Sequence, residues 1–573
     1  MTIKRICSCV LPVGLSLVAF GASFVAAAQT VFHHGFEGAS RLTCSEKSIR
    51  RVGGSRLGFA FPTVNGAQPG TAVVSACIQL SGIESTVSLS ANRGARVSLN
   101  EGAFQAPPVS VRNGDRLRLQ LSAPAGADAS ETSYVQIDGE FLADFSVRSA
   151  NQARPAQLFE VGPGKPNREL SEVAPQLVAG DVVELSRGAS YQAVEFSRAG
   201  LPQAPITIRA ASGSGARPRI EGGSITLSLR GAHHYRLQQL EISGGSQVCL
   251  RHEAHDTWLQ DSHVHGCARH GILGADLNTG SIRITASEIN DMGGQPSGEN
   301  LKHPIYVATD RDRYPGAVLR VERSYIHDYG GNGIKSRAER TEIYQNWIDA
   351  SSRGIYSIEL NGYEEYLPEP GLNADVFGNV LIHRHVYGMR MGGDGTGALR
   401  GRVRIAHNTL LHGNGFSQFT PVLRFFGQLE SVSIRNNVFA RLADAASAQP
   451  LRLVRDDATW IGGSRQLDGQ RNWVPSGSDA IASDYLPSEW QNTAFGTQPG
   501  YQSLNPQALQ LNLLPDAAVG TLLVAPSSAG GVFAILDPLQ QADHRIPRAA
   551  PISGGLIPQL PTPAETPTQI GIH

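Results

Sequence analysis

The chain has 573 residues, of which 41% are hydrophobic and only 17% charged, with 63 Gly, 33 Pro and a formal net charge of -1. That length exceeds what one compact core organises, so it implies several domains or a repeat that grows along one axis. The balanced charge excludes long-range attraction to nucleic acid or anionic lipid as a whole-molecule effect, and the abundance of Gly argues for short strands joined by turns rather than helical bundles.

Lys4 and Arg5 precede an apolar run from Val10 to Phe24, and Ala26, Ala27 and Ala28 follow. Residues 1–28 are therefore expected to be a secretory signal peptide cleaved after about Ala28. No later stretch offers the ~20 apolar residues of a transmembrane helix. A soluble monomer is expected, secreted or periplasmic. Cys7 and Cys9 leave with the signal, and Cys44, Cys77, Cys249 and Cys267 remain. An oxidising compartment permits a Cys44–Cys77 bridge and a Cys249–Cys267 bridge, with buried free thiols as the alternative.

Residues 29–150 alternate apolar and polar positions in short runs, as in Ser85-Thr-Val-Ser-Leu-Ser and Arg116-Leu-Arg-Leu-Gln-Leu, separated by Gly, Asn and Pro. The pattern predicts a sandwich of seven or eight strands. Through Val111-Arg-Asn-Gly-Asp-Arg-Leu and Phe145-Ser-Val it resembles the small immunoglobulin-like accessory modules of secreted bacterial proteins.

Between residues 155 and 475 a repeat takes over. A hydrophobic residue stands three places before a small polar one at Leu259/Ser262, Ile284/Ser287, Val321/Ser324, Ile343/Asn346, Val376/Asn379, Ile405/Asn408 and Ile434/Asn437, with anchors 22 to 37 residues apart. A second short strand follows in each unit: Gly271-Ile-Leu, Pro304-Ile-Tyr, Gly333-Ile-Lys, Gly354-Ile-Tyr, Gly388-Met-Arg and Pro421-Val-Leu-Arg. Short strands at this period without intervening amphipathic helices predict the coils of a parallel β-helix. Asn346, Asn379, Asn408 and Asn437 would stack at one turn, their amides satisfying turn backbone from coil to coil. Gln176 to Leu185, Ala204-Pro-Ile-Thr-Ile-Arg-Ala and Pro218-Arg-Ile-Glu-Gly resemble the first coils of secreted pectate-lyase-like right-handed β-helices. Residues 476–573 are read as the closing segment of that helix and a flexible tail.

Stacking the second strands predicts an inward row of Ile272, Ile305, Ile334, Ile355, Met389 and Leu423. Because strand side chains alternate, the outward row is Leu273, Tyr306, Lys335, Tyr356, Arg390 and Arg424. Coils ~4.8 Å apart spread Tyr306 to Arg390 over roughly 15 Å of one face. His303, Arg337, Arg353 and Glu359 lie at the edges. β-Elimination from a uronate needs a base for the C5 proton, a cation on the carboxylate and an acid for the departing O4. Lys335 is the candidate base, its pKa lowered by Arg337 and Arg353. Tyr306 or Tyr356 is the candidate acid, while Arg337, Arg390 or His303 holds the carboxylate. The competing account is a solvated face on which Lys and Arg stems cover aromatic rings.

Lys302-His303-Pro-Ile-Tyr306-Val, Asn332-Gly-Ile-Lys335-Ser336-Arg337-Ala and Gly354-Ile-Tyr356-Ser-Ile-Glu359-Leu-Asn-Gly resemble motifs of secreted bacterial β-helix proteins related to polysaccharide lyases, which carry His-Asn-x-Tyr, Ile-Lys-Ser-Arg-Ala and Tyr-Glu-Ile-Asp-Leu. Here Pro304 replaces Asn, Asn332 stands where His is common, and Glu359 replaces Asp. The Lys-Ser pair also resembles alginate and chondroitin lyases with a Lys base and an Arg one coil on. That resemblance brings calcium into consideration, although no cofactor is required by the residues themselves. Asp310, Asp312, Glu364 and Glu365 are the acidic candidates for calcium, and the pairs His263/His265 and His383/His385 those for other metals. Asp456-Asp457 stands alone, without the clustered Asp set of a polygalacturonase-type hydrolase.

The expected architecture is all-β, a right-handed parallel β-helix preceded by a small immunoglobulin-like β-sandwich. The expected function is a secreted lyase acting on an acidic polysaccharide. The alternatives are a non-catalytic glycan-binding protein and a uronate C5-epimerase.

Overall fold

A computed structural model describes residues 44–497 except 50, 53–54, 57, 276, 294–301, 351–353, 363–371, 384–386, 394–397, 414–419, 442–449 and 481–483, together with the backbone of strands between 501 and 513 and between 549 and 558. The expected signal peptide, the tail, Arg353, Glu364, Glu365 and His385 lie outside these residues.

The amino-terminal part is a two-layered sandwich around a core that includes Phe61, Ile78, Leu89, Leu117, Leu119, Val135, Phe145 and Val147. In Arg116–Ser122 every second residue is buried, as the alternation requires. One sheet has five strands and the other six, more than the seven or eight predicted. The surplus comes from short pieces such as Phe59–Ala60 and Val64–Ala67, which pair parallel to Glu140–Ser149 and are invisible to a pattern that needs several alternations. Cys44 and Cys77 form a disulfide at the edge of this core.

From Leu158 onward, three strands per coil stack into three all-parallel sheets. The first runs from Leu158–Val161 to Leu467–Gln470, the second from Ser190–Gln192 to Ala494–Gly496, and the third from Val194–Phe196 to Val454–Trp460. This is the predicted parallel β-helix, and parallel crossovers take the right-handed sense in nearly every case. Its interior is one continuous apolar column from Val161 to Trp490. Cys249 and Cys267 are disulfide-bonded within it.

The predicted turn stack exists and is longer than the four asparagines. Backbone N–H groups donate to the side chain one coil on, from Ser262 to Ser287, Ser287 to Ser324, Ser324 to Asn346 and Asn346 to Asn379. The series continues through Asn408 and Asn437 to Asn472. The residue before each rung is left-handed, with φ of 47° at Asp261, 48° at Ala286, 56° at Gln345 and 64° at Gly378. A tight corner between the first and second sheets demands that conformation, and the buried side-chain ladder supplies the hydrogen bonds that such a corner withholds from its backbone.

The sandwich is seated on the helix through ion pairs. Asp312 faces Lys47 at 3.7 Å and accepts the Ala60 N–H at 2.9 Å. Arg313 meets Asp144 at 2.9 Å and Asp310 at 3.4 Å, and Asp128 meets Arg148 and Arg198 at 2.6 and 3.2 Å. Asp310 and Asp312, considered above for calcium, are thus occupied in joining the two parts.

Candidate functional site

On the third sheet the register is Leu273, Tyr306, Lys335, Glu359, Arg390, Arg424, Arg455. Most of the predicted outward row is present, but Tyr356 is not in it. Ile358, not Ile355, pairs with Ile334, so the strand is displaced by three residues from the alignment of the Gly-Ile pairs. Burial explains the shift, since Ile358 is fully enclosed whereas Ile355 is half-buried. Glu359, expected at an edge, stands at the centre instead.

Its carboxylate lies 3.3 Å from the Lys335 Nζ and 3.1 Å from an Arg390 Nη, and it accepts a hydrogen bond from the Asn332 amide. The Lys335 ammonium also sits 5.4 Å from the centre of the Tyr306 ring. A carboxylate buried to this degree requires such partners, because an unpaired charge there would cost several kcal/mol. The buried Asn332 Oδ1 and Arg390 Nε make no hydrogen bond in the protein.

A second row runs along the sheet edge, one step from the first. His270 and His303 stack at 5.4 Å, the Asn332 N–H donates to His303 Nδ1 at 2.9 Å, Tyr356 pairs with Asn332, and Tyr387 stacks on Tyr356 at 5.7 Å. Accepting at Nδ1 leaves the proton of a neutral His303 on Nε2. Burial, followed by the charges of Arg269, Arg251 and Lys335, pushes His270 down to about 4, so it is a neutral imidazole at pH 7. Burial raises the Tyr356 phenol while Arg390 opposes it, so this hydroxyl stays protonated.

Arg337, two residues beyond Lys335, donates to the Gly362 carbonyl. The structure thus brings Tyr306, Lys335, Glu359, Arg390, His303 and Tyr356 onto one face, with Arg337 beside them. The sequence reading missed His270, Tyr387 and Phe426. His270 opens its strand and Tyr387 precedes its own by two residues, and only the repeat of an aromatic or His three places before each row member (His270, His303, Tyr356, Tyr387) could have signalled them.

The other metal candidates disperse. His263 and His265 lie on the second sheet, stacked at 4.1 Å, bonded to Asn290 and Glu241 respectively. His383 is enclosed against His412, and burial holds it down at about 3. Around Lys335 the central carboxylate already serves two cations, a donor set that does not fit calcium. Among the described residues no three His, Cys, Asp or Glu side chains converge as a metal site.

No family model matches the chain, and no curated protein matches it. Solved structures do. A pectate lyase is similar over 66% of this chain and 91% of its own, at 12% identity and a TM-score of 0.42. A rhamnogalacturonan lyase is similar over 63% and 96%, at 13% and 0.40. An alginate lyase from Paenibacillus sp. str. FPU-7 is similar over 54% and 95%, at 16% and 0.33. The parallel β-helix itself rests on this chain's own strand ladders, which require no relative. Among the described residues no helix is long and apolar enough to cross a membrane, and the two disulfides fit an extracellular protein.

Proposed function

We propose that this protein is a secreted polysaccharide lyase that cleaves a uronate-containing polymer by β-elimination over the third sheet. The observation that carries the reading is the run of Tyr306, Lys335, Glu359 and Arg390 at one register position on four successive coils. Lys335 is the base that takes the C5 proton. The electron pair moves through C5 to expel the C4 oxygen, and negative charge gathers on the uronate carboxylate, which the positive charge of Arg390 stabilises. Tyr306, on the rung next to Lys335, returns a proton to O4. The product is an unsaturated sugar and a shortened chain, with no water consumed. Glu359 holds Lys335 and Arg390 in place, and the His303 ring lies edge-on to Tyr306 at 5.8 Å.

The test is to incubate the mature protein with pectate, alginate, glycosaminoglycans and bacterial exopolysaccharides and to follow absorbance of the unsaturated product. Product formed equally well by Lys335→Ala would remove Lys335 as base. Tyr306→Phe and Tyr356→Phe separate the two candidate acids.

A non-catalytic glycan-binding role has one observation in its favour. The cations of the row all have carboxylate partners, Lys335 and Arg390 on Glu359, Arg424 and Arg455 on Asp457. Binding without product, unaffected by Lys335→Ala, is its signature.

A further inference from the structure

The outer face of the third sheet is lopsided. On the amino-terminal side of Tyr306 the register continues into Leu273 and then Arg251, whose guanidinium is committed to Glu253 at 2.5 Å. On the carboxyl-terminal side it continues into Arg390, Arg424 and Arg455. The same side carries aromatic rings: Tyr387 on the edge, and Phe426 two residues past Arg424. Arg424 lies 5.2 Å from the Tyr387 ring centre and 5.1 Å from that of Phe426, and it donates to the Tyr387 hydroxyl at 3.0 Å. Arg390 lies 4.5 Å from the same Phe426 ring and 5.8 Å from Tyr356.

We infer that Tyr387, Phe426 and Arg424 form a second sugar-binding position, taking an acidic sugar residue of the same polymer, so that the chain runs from Lys335 toward the carboxyl-terminal coils. This rests on the uronate reading of the site. Three rungs separate Lys335 from Arg424, ~14 Å along the helix axis, which places the position beyond the sugar whose bond is broken. Tyr387 offers a ring for the apolar face of a pyranose, and a guanidinium already oriented by two rings and a phenol loses little freedom on meeting a carboxylate. The partner it must exchange is suited to release. Asp457 is a third exposed and bridges Arg424 and Arg455 at 3.0 and 2.8 Å. Glu359, by contrast, is enclosed and stays with Lys335 and Arg390.

The experiment measures binding of oligogalacturonates and oligoalginates from disaccharide to hexasaccharide by calorimetry, and product formation from the same series, with the full-length mature protein. Arg424→Gln and Tyr387→Ala are each expected to weaken hexasaccharide binding by about tenfold and leave the disaccharide unchanged, raising KM and not lowering kcat. Tyr387→Phe, which keeps the ring, should retain most of the affinity, and Arg251→Ala should change nothing. Melting curves identify any variant that fails to fold, and Arg424→Lys replaces Arg424→Gln if it does. If wild type cleaves uronate oligomers and both variants bind every length as wild type does, the second position is wrong while the lyase reading stands. Weakening by Arg251→Ala alone reverses the direction of the chain and overturns the inference. If wild type binds no acidic oligomer, both readings fall together.

Discussion

Two faces of this β-helix carry ladders of arginine and carboxylate, and they are built to different ends. On the first sheet Arg283, Arg320, Glu342, Asp375 and Arg404 follow one another at one register position. Asp375 is fully enclosed and is held by Arg340 at 2.5 Å and Arg404 at 2.7 Å, while Arg320 and Arg404 lie over the Tyr344 and Phe377 rings. On the third sheet the ladder loosens along its length, from Lys335 and Arg390 at 15% exposure to Arg455 at 41%, and a row of His and Tyr runs beside it. The same residue types thus close on themselves in one place and leave donors toward solvent in the other. Charge and stacking are common to both faces; the third sheet differs in the exposure of its cations and in the His and Tyr beside them.

The comparison breaks most sharply on two substitutions. Lys335→Ala is expected to lower product formation by about 10²–10⁴, the ordinary contribution of a positioned acid or base, with a melting temperature close to wild type. Asp375→Ala should do the reverse. It removes the buried carboxylate that Arg340 and Arg404 share, so a loss of about 3–5 kcal/mol is expected in denaturant unfolding, with binding per folded molecule unchanged. If Asp375→Ala unfolds no more readily than wild type, the first-sheet ladder is not the structural one.

Acid separates the faces next. His270 on the third sheet is held down at about 4, chiefly by burial, against an ordinary value of 6.5. Only the unfolded chain takes up a proton there as pH falls from 6.5 to about 4, so the stability His270 contributes is complete above 6.5 and is lost across that window. Glu322 lies on the first sheet, two residues past Arg320, and pairs with Arg283 and Arg320 of the ladder. Burial raises its carboxyl, but Arg320, Arg283 and Arg323 outweigh burial and bring it to about 2 from an ordinary 4.5. Its contribution is complete above 4.5 and is lost as pH falls toward 2. Unfolding midpoints measured against pH should therefore soften in two stages. His270→Gln should shrink the upper stage, which it shares with the buried imidazoles of His252 and His383, and Glu322→Gln the lower, and an exchange of these effects would show the assignment to be inverted.

Much of this was legible in the residues, and the gaps have physical causes. The repeat could be read because each corner needs the same two things, a left-handed residue and a small hydrogen-bonding side chain after it, whatever the length of the loops between. Ser262 through Asn437 were found this way. Asn472 was passed over because its preceding strand, Leu467–Gln470, has a glycine where the others have a bulky residue. Lys335, Tyr306 and Arg390 were visible because alternation alone sets their direction. The position of Glu359 was not, because Gly354-Ile355 imitates the start of a strand and only packing reveals that Ile358 fills the core. His303 and Tyr356 of the edge row were named from the sequence, whereas His270 and Tyr387 were missed.

The smallest effect tests the open end of the third ladder. Asp457 pairs with Arg424 and Arg455 where water has access, and exposed pairs contribute about 0–1 kcal/mol because solvent and salt screen them. Asp457→Asn should leave the unfolding free energy within about 0.5 kcal/mol of wild type. Its effect on ligand should have the opposite sign, since removing the carboxylate frees two guanidinium groups for a polyanion. Binding of an acidic hexasaccharide is expected to tighten a few-fold at low ionic strength, with the gain shrinking as salt is added, because the Debye length falls to about 3 Å at 1 M. A stability loss of several kcal/mol with no gain in binding would make this end of the ladder structural in the manner of Asp375, and the contrast between the two faces would then reduce to depth of burial alone.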